Sequence, residues 1–288
     1  MQWISSAWSP KNIISNALGL KGSSDMSGGE TREDGLVSFG YSLMKGKRPN
    51  MEDFYHAEFK KDSRCGEVIG FFGVFDGHGG PNAAHYVKTN LFNNLLQHAK
   101  FPSDMQAAVS ESYTATDEQY MRQDAGSKRE DGCTAVTLIV YQHRLIIANV
   151  GDSRAVLCRG GEAIAVSVDH KPNLKEERER IEAAGGVVIW AGTWRVAGVL
   201  AVSRAFGDKP LKRFVISTPY MQEEQLRHED EFLILASDGL WDVFTNEDAV
   251  ALARSIEDPE QAAKKLTEEA YSRGSMDNIT CIVIKFKH

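Results

Sequence analysis

Two apolar segments of this chain end in the same way, and this repeated ending limits the folds that the chain can adopt. Residues 68–75 are apolar or glycine and are followed by Asp76-Gly77-His78, while residues 232–236 are followed by Ser237-Asp238-Gly239. Short apolar runs bounded by glycine are typical of buried β-strands. One Asp-Gly pair after a strand is usually a plain turn. Two such pairs predict strand ends that present carboxylates to a ligand, provided that further acidic signals accompany them.

Two other segments supply those acidic signals. Arg48 precedes the paired carboxylates Glu52 and Asp53, and Asp277-Asn278 precedes the apolar residues 279–286. Carboxylate, carbonyl and water oxygens are the ligands that hard cations such as Mg²⁺ and Mn²⁺ prefer. The sequence therefore predicts a site for Mg²⁺ or Mn²⁺, built from strand ends that are far apart along the chain.

The pattern of apolar residues divides the chain into a tail and a dense region. Residues 1–34 are rich in serine, glycine and asparagine and are predicted to form a flexible N-terminal tail, followed by a single domain at residues 35–288. Predicted strands and helices alternate in groups rather than one by one, which favours the α+β class over βαβ winding. The predicted strands are 68–75, 134–141, 144–150, 154–158, 232–236 and 279–286, with hairpin turns at 142–143 and 151–153; the predicted helices are 81–98, 103–120 with Ser103 as N-cap, 173–184, 246–255 and 259–273.

Charge and cysteine content narrow the class of protein further. The net charge is −7 and the basic residues form no long cluster, so nucleic acid is not an expected partner. No apolar stretch reaches the roughly 18 residues of a membrane span, and nothing in the sequence requires more than a monomer. The cysteines form no Cys-x-x-Cys pair, which indicates buried, reduced thiols in a cytoplasmic or nuclear protein. They are Cys65, Cys133, Cys158 and Cys281.

The acidic segments belong to a longer series of motifs that resembles a known family. The motifs lie at residues 47–53, 75–80, 132–135, 149–155, 199–208, 236–242 and 277–278. In this order they are similar to those of the metal-dependent Ser/Thr protein phosphatases of the protein phosphatase 2C family, and above all to its plant members. The resemblance covers about residues 35–286, nearly the whole chain.

This resemblance implies a fold and an activity. The fold is a four-layer sandwich of two antiparallel β-sheets, flanked by α-helices on both outer faces, with the metals at one end. The activity is hydrolysis of phosphoserine and phosphothreonine in proteins by a dinuclear Mg²⁺ or Mn²⁺ centre, in which a metal-bound water is the nucleophile. Phosphorylated proteins are the implied partners, although no feature of the sequence identifies which ones.

The resemblance also assigns ligands to the metals. Asp76 is the implied bridging carboxylate and Gly77 a carbonyl ligand, while Asp238 and Asp277 complete the first ion and Glu52 holds the second. Asp53 is expected to lie behind the metal ligands and to orient the water molecules that bind the ions. A third ion is an open alternative, since either Glu130 or Asp131, or neither, matches the family position. For each of these residues the competing interpretation is an ordinary turn.

Two residues are implied to act on the substrate directly. His78 is a candidate general acid for the leaving serine or threonine oxygen, against the alternative of a structural histidine. Arg48 is a candidate clamp on two phosphoryl oxygens, against the alternative of a surface salt bridge to Glu52 or Asp53.

The resemblance also bears on a flap region and on two further acidic residues. Residues 170–197 resemble a flap beside the active site, so Trp190, Trp194 and Arg195 are candidate substrate contacts. Asp152 and Asp208 are predicted only to organise turns.

Two rival functions remain at this stage. The first is a binding module that keeps the fold without turnover, which the complete set of implied metal ligands disfavours. The second is another metal-dependent phosphoesterase, such as a nuclease, which the acidic charge and the lack of a basic groove disfavour.

Overall fold

The computed structural model describes residues 26–62, 64, 66–123, 126–127 and 129–288. The strands are β1 (Met26–Thr31), β2 (Val37–Met44), β3 (Phe54–Lys61), β4 (Val68–Phe75), β5 (Gly77–His78), β6 (Gly132–Cys133), β7 (Ala135–Tyr141), β8 (Arg144–Val150), β9 (Arg154–Arg159), β10 (Glu162–Ala165), β11 (Val188–Trp190), β12 (Trp194–Val196), β13 (Phe206–Gly207), β14 (Tyr220–Gln225), β15 (Asp230–Ala236) and β16 (Ile279–Phe286). The helices are α1 (Asn82–Gln97), α2 (Met105–Gln123), α3 (Lys175–Ala183), α4 (Asp238–Trp241), α5 (Asn246–Arg254) and α6 (Pro259–Ser272), with a 3-10 helix at Lys209–Leu211.

Two antiparallel sheets form the centre of the molecule. One has six strands in the order β1-β2-β16-β15-β9-β10, and the other has five in the order β14-β8-β7-β4-β3. One apolar cluster fills the space between the sheets, a second joins the five-stranded sheet to α1 and α2, and a third joins the six-stranded sheet to α5 and α6. The α+β class and the predicted four-layer sandwich are therefore confirmed.

Strand β16 is apolar along nearly its whole length because both of its faces are buried. Ile282 and Ile284 lie in the cluster between the sheets, whereas Cys281 and Val283 lie in the cluster with the helices. Because alternate side chains leave a strand on opposite faces, a strand covered on both sides needs apolar residues at every position.

The predicted start of the second helix is wrong by one residue. Asp104 Oδ1 accepts a hydrogen bond from the Ala107 backbone N–H at 3.1 Å, while the Ser103 hydroxyl donates backwards to the Lys100 carbonyl. Asp104 is therefore the side chain that satisfies the open N–H of the first turn.

The predicted flexible tail is wrong for residues 26–31, which form the edge strand β1 paired with β2. A Cβ atom on Gly28 would lie 2.6 Å from Tyr41 Oη, and one on Gly29 would lie 2.5 Å from the Phe39 carbonyl oxygen. These glycines permit close packing at the sheet edge, although in sequence they indicate a linker. Residues 1–25 of the predicted tail lie outside the described residues.

The turn predicted at residues 151–153 is not a hairpin. Strand β8 belongs to the five-stranded sheet and β9 to the six-stranded sheet, so these residues cross from one sheet to the other. The hairpin predicted at residues 142–143 does join β7 to β8, with Gln142 in the left-handed region at φ 55°. The two connections look alike in sequence because both separate short apolar runs.

Three of the four cysteines lie among the described residues. Cys133, Cys158 and Cys281 are buried and free, as predicted, and Cys65 lies outside the described residues. None of the helices in the described ranges combines the length and the apolar character needed to cross a bilayer.

Candidate active site

Carboxylates from both sheets meet at one end of the sandwich. Asp76 follows β4 of the five-stranded sheet, Asp238 follows β15 of the six-stranded sheet, and Asp152 lies in the connection between them. Each of the three places a carboxylate oxygen within 4.8 Å of the others. The structure thus brings together Asp76 and Asp238, as expected. It adds Asp152, for which the sequence predicts only a turn-organising role.

A cleft of about 310 Å³ opens over this cluster. Its lining includes the predicted site residues Arg48, Glu52, Asp76, Gly77, His78, Arg195, Asp238 and Asp277. The other predicted residues lie outside the lining: Asp53, Glu130, Asp131, Trp190 and Trp194.

Close backbone packing explains why glycine follows Asp76 and Asp238. A Cβ atom on Gly77 would lie 2.5 Å from the Glu52 carbonyl oxygen, and one on Gly239 would lie 1.9 Å from the Asn278 carbonyl oxygen. Each glycine therefore lets the backbone of another acidic segment pack directly against a strand end. The repeated Asp-Gly signal is needed to assemble the cluster as well as to turn the chain.

Electrostatics in the cluster favour an added cation. Burial raises the pKa of Asp76 well above its usual value, and the charges of Asp53 and Asp238 raise it further. Burial and then the charge of Asp152 also raise the pKa of Asp238. Oxygen ligands whose charges repel one another in this way suit a divalent hard cation, so the residues present fit Mg²⁺ or Mn²⁺.

Asp53 lies behind the cluster. Burial raises its pKa to about 6, even though its carboxylate accepts hydrogen bonds, including one from Ser237 Oγ at 2.8 Å. Ser237 is the residue between β15 and Asp238, so Asp53 supports the strand end that carries a cluster carboxylate.

Arg48 and Asp277 form an ion pair at the edge of the cleft. Arg48 Nη2 lies 2.6 Å from Asp277 Oδ2, and 56% of the Arg48 side chain is exposed. The salt bridge expected as the alternative for Arg48 thus has Asp277 as its partner, rather than Glu52 or Asp53. Asp277 lines the cleft but does not belong to the group of three carboxylates.

Asn278 holds the segment that carries Glu52. Its side chain accepts a hydrogen bond from the Glu52 backbone N–H at 2.8 Å and donates to the carbonyls of Lys45 and Asn50. Glu52 Oε2 in turn accepts from the Gly80 backbone N–H at 3.1 Å. Asp277 therefore contributes a carboxylate to the cleft, and Asn278 holds the backbone of residues 45–52 in place.

His78 is paired with Asp208, whose predicted role as a turn residue was incomplete. His78 Nε2 lies 2.9 Å from both carboxylate oxygens of Asp208. Burial alone would lower the pKa of His78, but the hydrogen bond and charge of Asp208 outweigh it and raise the pKa. A Cβ atom on Gly132 would lie 2.2 Å from Asp208 Oδ2 and 2.3 Å from His78 Nε2, so only glycine fits beside the pair.

The residues considered for a third ion lie elsewhere. Asp131 is buried and accepts hydrogen bonds from the Ala83 backbone N–H at 3.1 Å and from Tyr120 Oη at 2.7 Å, so it supports the first turn of α1. Glu130 is exposed outside the cleft. Asp152 is instead the additional carboxylate within the cluster.

The predicted flap contains the hairpin of β11 and β12. The rings of Trp190 and Trp194 meet edge to face at 5.4 Å, and 60% of Trp190 is exposed. Arg195 is the one member of the predicted trio that lines the cleft, and its Nη1 donates to the Val199 carbonyl at 2.6 Å.

Comparisons with known proteins agree with this geometry. The family model described as Protein phosphatase 2C matches residues 37–279. Probable protein phosphatase 2C 45 of Oryza sativa subsp. japonica is 58% identical over 92% of this chain and 93% of its own length. Probable protein phosphatase 2C 59 of Arabidopsis thaliana is 58% identical over 91% of this chain and 83% of its own length.

A solved structure supports the same assignment. The crystal structure of serine-threonine phosphatase 2C from Toxoplasma gondii matches with a TM-score of 0.80 and 25% identity, over 88% of this chain and 95% of that one. The family match includes the whole five-stranded sheet and every carboxylate of the cluster; in the six-stranded sheet it leaves out β1 and all but the first residue of β16. The chain therefore belongs to the protein phosphatase 2C family and is a metal-dependent protein-serine/threonine phosphatase.

Proposed function

We propose that this chain hydrolyses phosphoserine and phosphothreonine in proteins at the cleft, with a dinuclear Mg²⁺ or Mn²⁺ centre. The observation that carries the proposal is the group formed by Asp76, Asp152 and Asp238, whose carboxylate oxygens lie within 4.8 Å of one another. Asp76 would bridge the two ions, and Asp238 would hold the first of them.

The remaining ligands come from the neighbouring segments. The Gly77 carbonyl and Asp277 would complete the first ion, and Glu52 would hold the second. Asp152 is a better candidate for any third ion than Glu130 or Asp131, because it lies within the cluster. When bound, the ions would supply positive charge to the phosphoryl oxygens and an activated water at neutral pH.

Arg48 is proposed to hold the phosphate at the edge of the cleft. Its guanidinium is exposed and bonded to Asp277 through Nη2. A guanidinium carries further N–H donors in a planar fork, so this bond leaves donors for phosphoryl oxygens. Asp277 would restrict Arg48 to the cleft side and thereby lower the entropy lost when a phosphate binds.

His78 is proposed to protonate the leaving oxygen. Its raised pKa shifts the ring towards the imidazolium, which is the form that a general acid requires. Because Nε2 is bonded to Asp208, the proton available for transfer is the one on Nδ1. Trp190, Trp194 and Arg195 would contact the polypeptide on either side of the phosphorylated residue.

The experiment compares a phosphothreonine peptide with p-nitrophenyl phosphate, in Mn²⁺ and in chelator, for the wild type and His78→Gln. Nitrophenolate leaves readily without a proton, whereas the threonine alkoxide does not. We expect the variant to lose about 100-fold in kcat on the peptide and far less on the aryl phosphate. The exposed His143→Gln is the matched control. Equal losses on both substrates would remove the acid role from His78.

A further inference from the structure

One chain segment links the wall of the cleft to the catalytic pair. We call residues 200–208 the wall segment. Leu200, Ala201 and Val202 at its beginning line the cleft, and Asp208 at its end is bonded to His78. The position of this segment therefore affects both the space offered to the substrate and the orientation of His78.

The wall segment has little regular backbone structure of its own. It contains the two-residue strand β13 and single bridges from Leu200 and Arg204. Gly207 and Asp208 are both in the left-handed region, with φ of 74° and 52°. A non-glycine residue is strained in that region, so the surrounding structure must hold Asp208 there.

Glu177 of α3 holds the first half of the segment. This carboxylate is 1% exposed and accepts hydrogen bonds from Ser203 Oγ at 2.7 Å and from Arg204 at 2.6 and 3.0 Å. Arg180 joins the same group, since its Nη2 donates to Glu177 Oε2 at 2.9 Å and to the Ser203 carbonyl at 2.8 Å.

Asp117 of α2 holds the second half. It is 5% exposed, and its Oδ1 accepts from the Gly207 backbone N–H at 2.8 Å. Its Oδ2 lies 2.7 Å from Lys212 Nζ, which also donates to the Ala205 carbonyl at 3.1 Å. Asp117 thus fixes the residue directly before Asp208.

We propose that Glu177 and Asp117 are positioning residues with separable effects on catalysis. Glu177 positions the cleft wall and hence governs the binding of the phosphoprotein. Asp117 positions Asp208 and, through it, His78, so it governs the proton-transfer step. The Asp117 half of this inference rests on the acid role proposed for His78, whereas the Glu177 half does not.

The test is a double-mutant cycle on the full chain with Mn²⁺ and a phosphothreonine peptide. Asp117→Asn is expected to lower kcat about tenfold in the wild type but less than about twofold when His78→Gln is already present, because both changes remove one function. Glu177→Gln is expected to raise KM about fivefold with kcat within about twofold, and equally so in both backgrounds.

Glu118→Gln and Glu179→Gln are the controls, because they change exposed carboxylates on the same two helices. Should Asp117→Asn fail to fold, Lys212→Met removes the partner of Asp117 and should show the same dependence on His78.

A full tenfold loss from Asp117→Asn in the His78→Gln background would overturn the positioning role of Asp117. A Glu177→Gln variant that lowers kcat with KM unchanged would overturn that of Glu177. If His78→Gln alone has no effect, the acid role and the Asp117 half fail together, while the KM of Glu177→Gln still decides the other half.

Discussion

Glu177 and the carboxylates at the cleft differ in what surrounds their charge. Burial alone would raise the pKa of Glu177, but hydrogen bonds from Arg204, Arg180 and Ser203 lower it to about 2. At the cleft, burial raises the pKa of Asp76, and neighbouring carboxylates raise it further. The first charge is balanced by cations of the chain itself, whereas the second group is suited to cations from solution. Burial therefore does not distinguish a structural acid from a functional one; the sign of the surrounding charge does.

The largest expected effect comes from Asp76→Asn, which tests the functional side of this comparison. Loss of the proposed bridging carboxylate should lower Mn²⁺-dependent turnover of a phosphothreonine peptide about 1000-fold, or about 4 kcal/mol in activation free energy. The same change should raise the melting temperature in chelator, because it removes one of several repelling charges. Turnover assays and thermal melts measure the two effects, with the exposed Asp34→Asn as control. A variant that retains a tenth of the activity would contradict the bridging role.

The structural side of the comparison predicts the opposite change in stability. Glu177→Ala leaves Arg204 and Arg180 without their shared carboxylate, and breaking a buried ion pair in this way costs about 3 kcal/mol. Urea unfolding in chelator is the measurement, since it excludes metal effects. If Glu177→Ala and Asp76→Asn changed the free energy of unfolding in the same direction, the distinction between the two groups would fail.

Sequence alone was sufficient for the fold class and for the carboxylates that follow apolar strands. Asp76 and Asp238 could be found because strand and Asp-Gly pair are adjacent in sequence. Strand β1 was missed, since the glycines that let it pack against Tyr41 and Phe39 are typical of linkers.

The residues that were missed depend on contacts between distant segments. Asp208 acquires its role from His78, which is 130 positions away. Asp152 was missed because its turn resembles a hairpin, and only the assignment of β8 and β9 to different sheets brings it to the cluster. Asp131 stands close to a family motif in sequence, but α1 and Tyr120 use its oxygens.

The contributions of the two groups to stability should also change with pH in opposite directions. The pKa of Asp53 rises from 3.8 to about 6 on folding, so its contribution to stability is complete below 3.8 and is lost as pH rises through about 6. The pKa of Glu177 falls from 4.5 to about 2, so its contribution is complete above 4.5 and is lost as pH falls towards 2.

In chelator, the free energy of unfolding should therefore fall by about 2 kcal/mol between roughly pH 4 and pH 7, because of Asp53. Mn²⁺ should restore it, so the gain in melting temperature from Mn²⁺ should be larger at about pH 7.5 than at about pH 5.5. Melts at both pH values, with and without Mn²⁺, measure this difference. Asp53→Asn should reduce the pH dependence in chelator, and an equal Mn²⁺ effect at both pH values would contradict the charge argument.

The smallest expected effect concerns Lys171, the cation that contacts the cluster through Asp152. If the cluster is suited to external cations, this ammonium partly takes their place in the metal-free protein. Lys171→Met should then destabilise the protein in chelator by about 1 kcal/mol and tighten Mn²⁺ binding severalfold, because a positive charge leaves the site. Calorimetric titration measures the affinity, with the exposed Lys175→Met as control. Weaker Mn²⁺ binding would mean that Lys171 holds Asp152 in position as the arginines hold Glu177, and the two groups would then differ in degree rather than in kind.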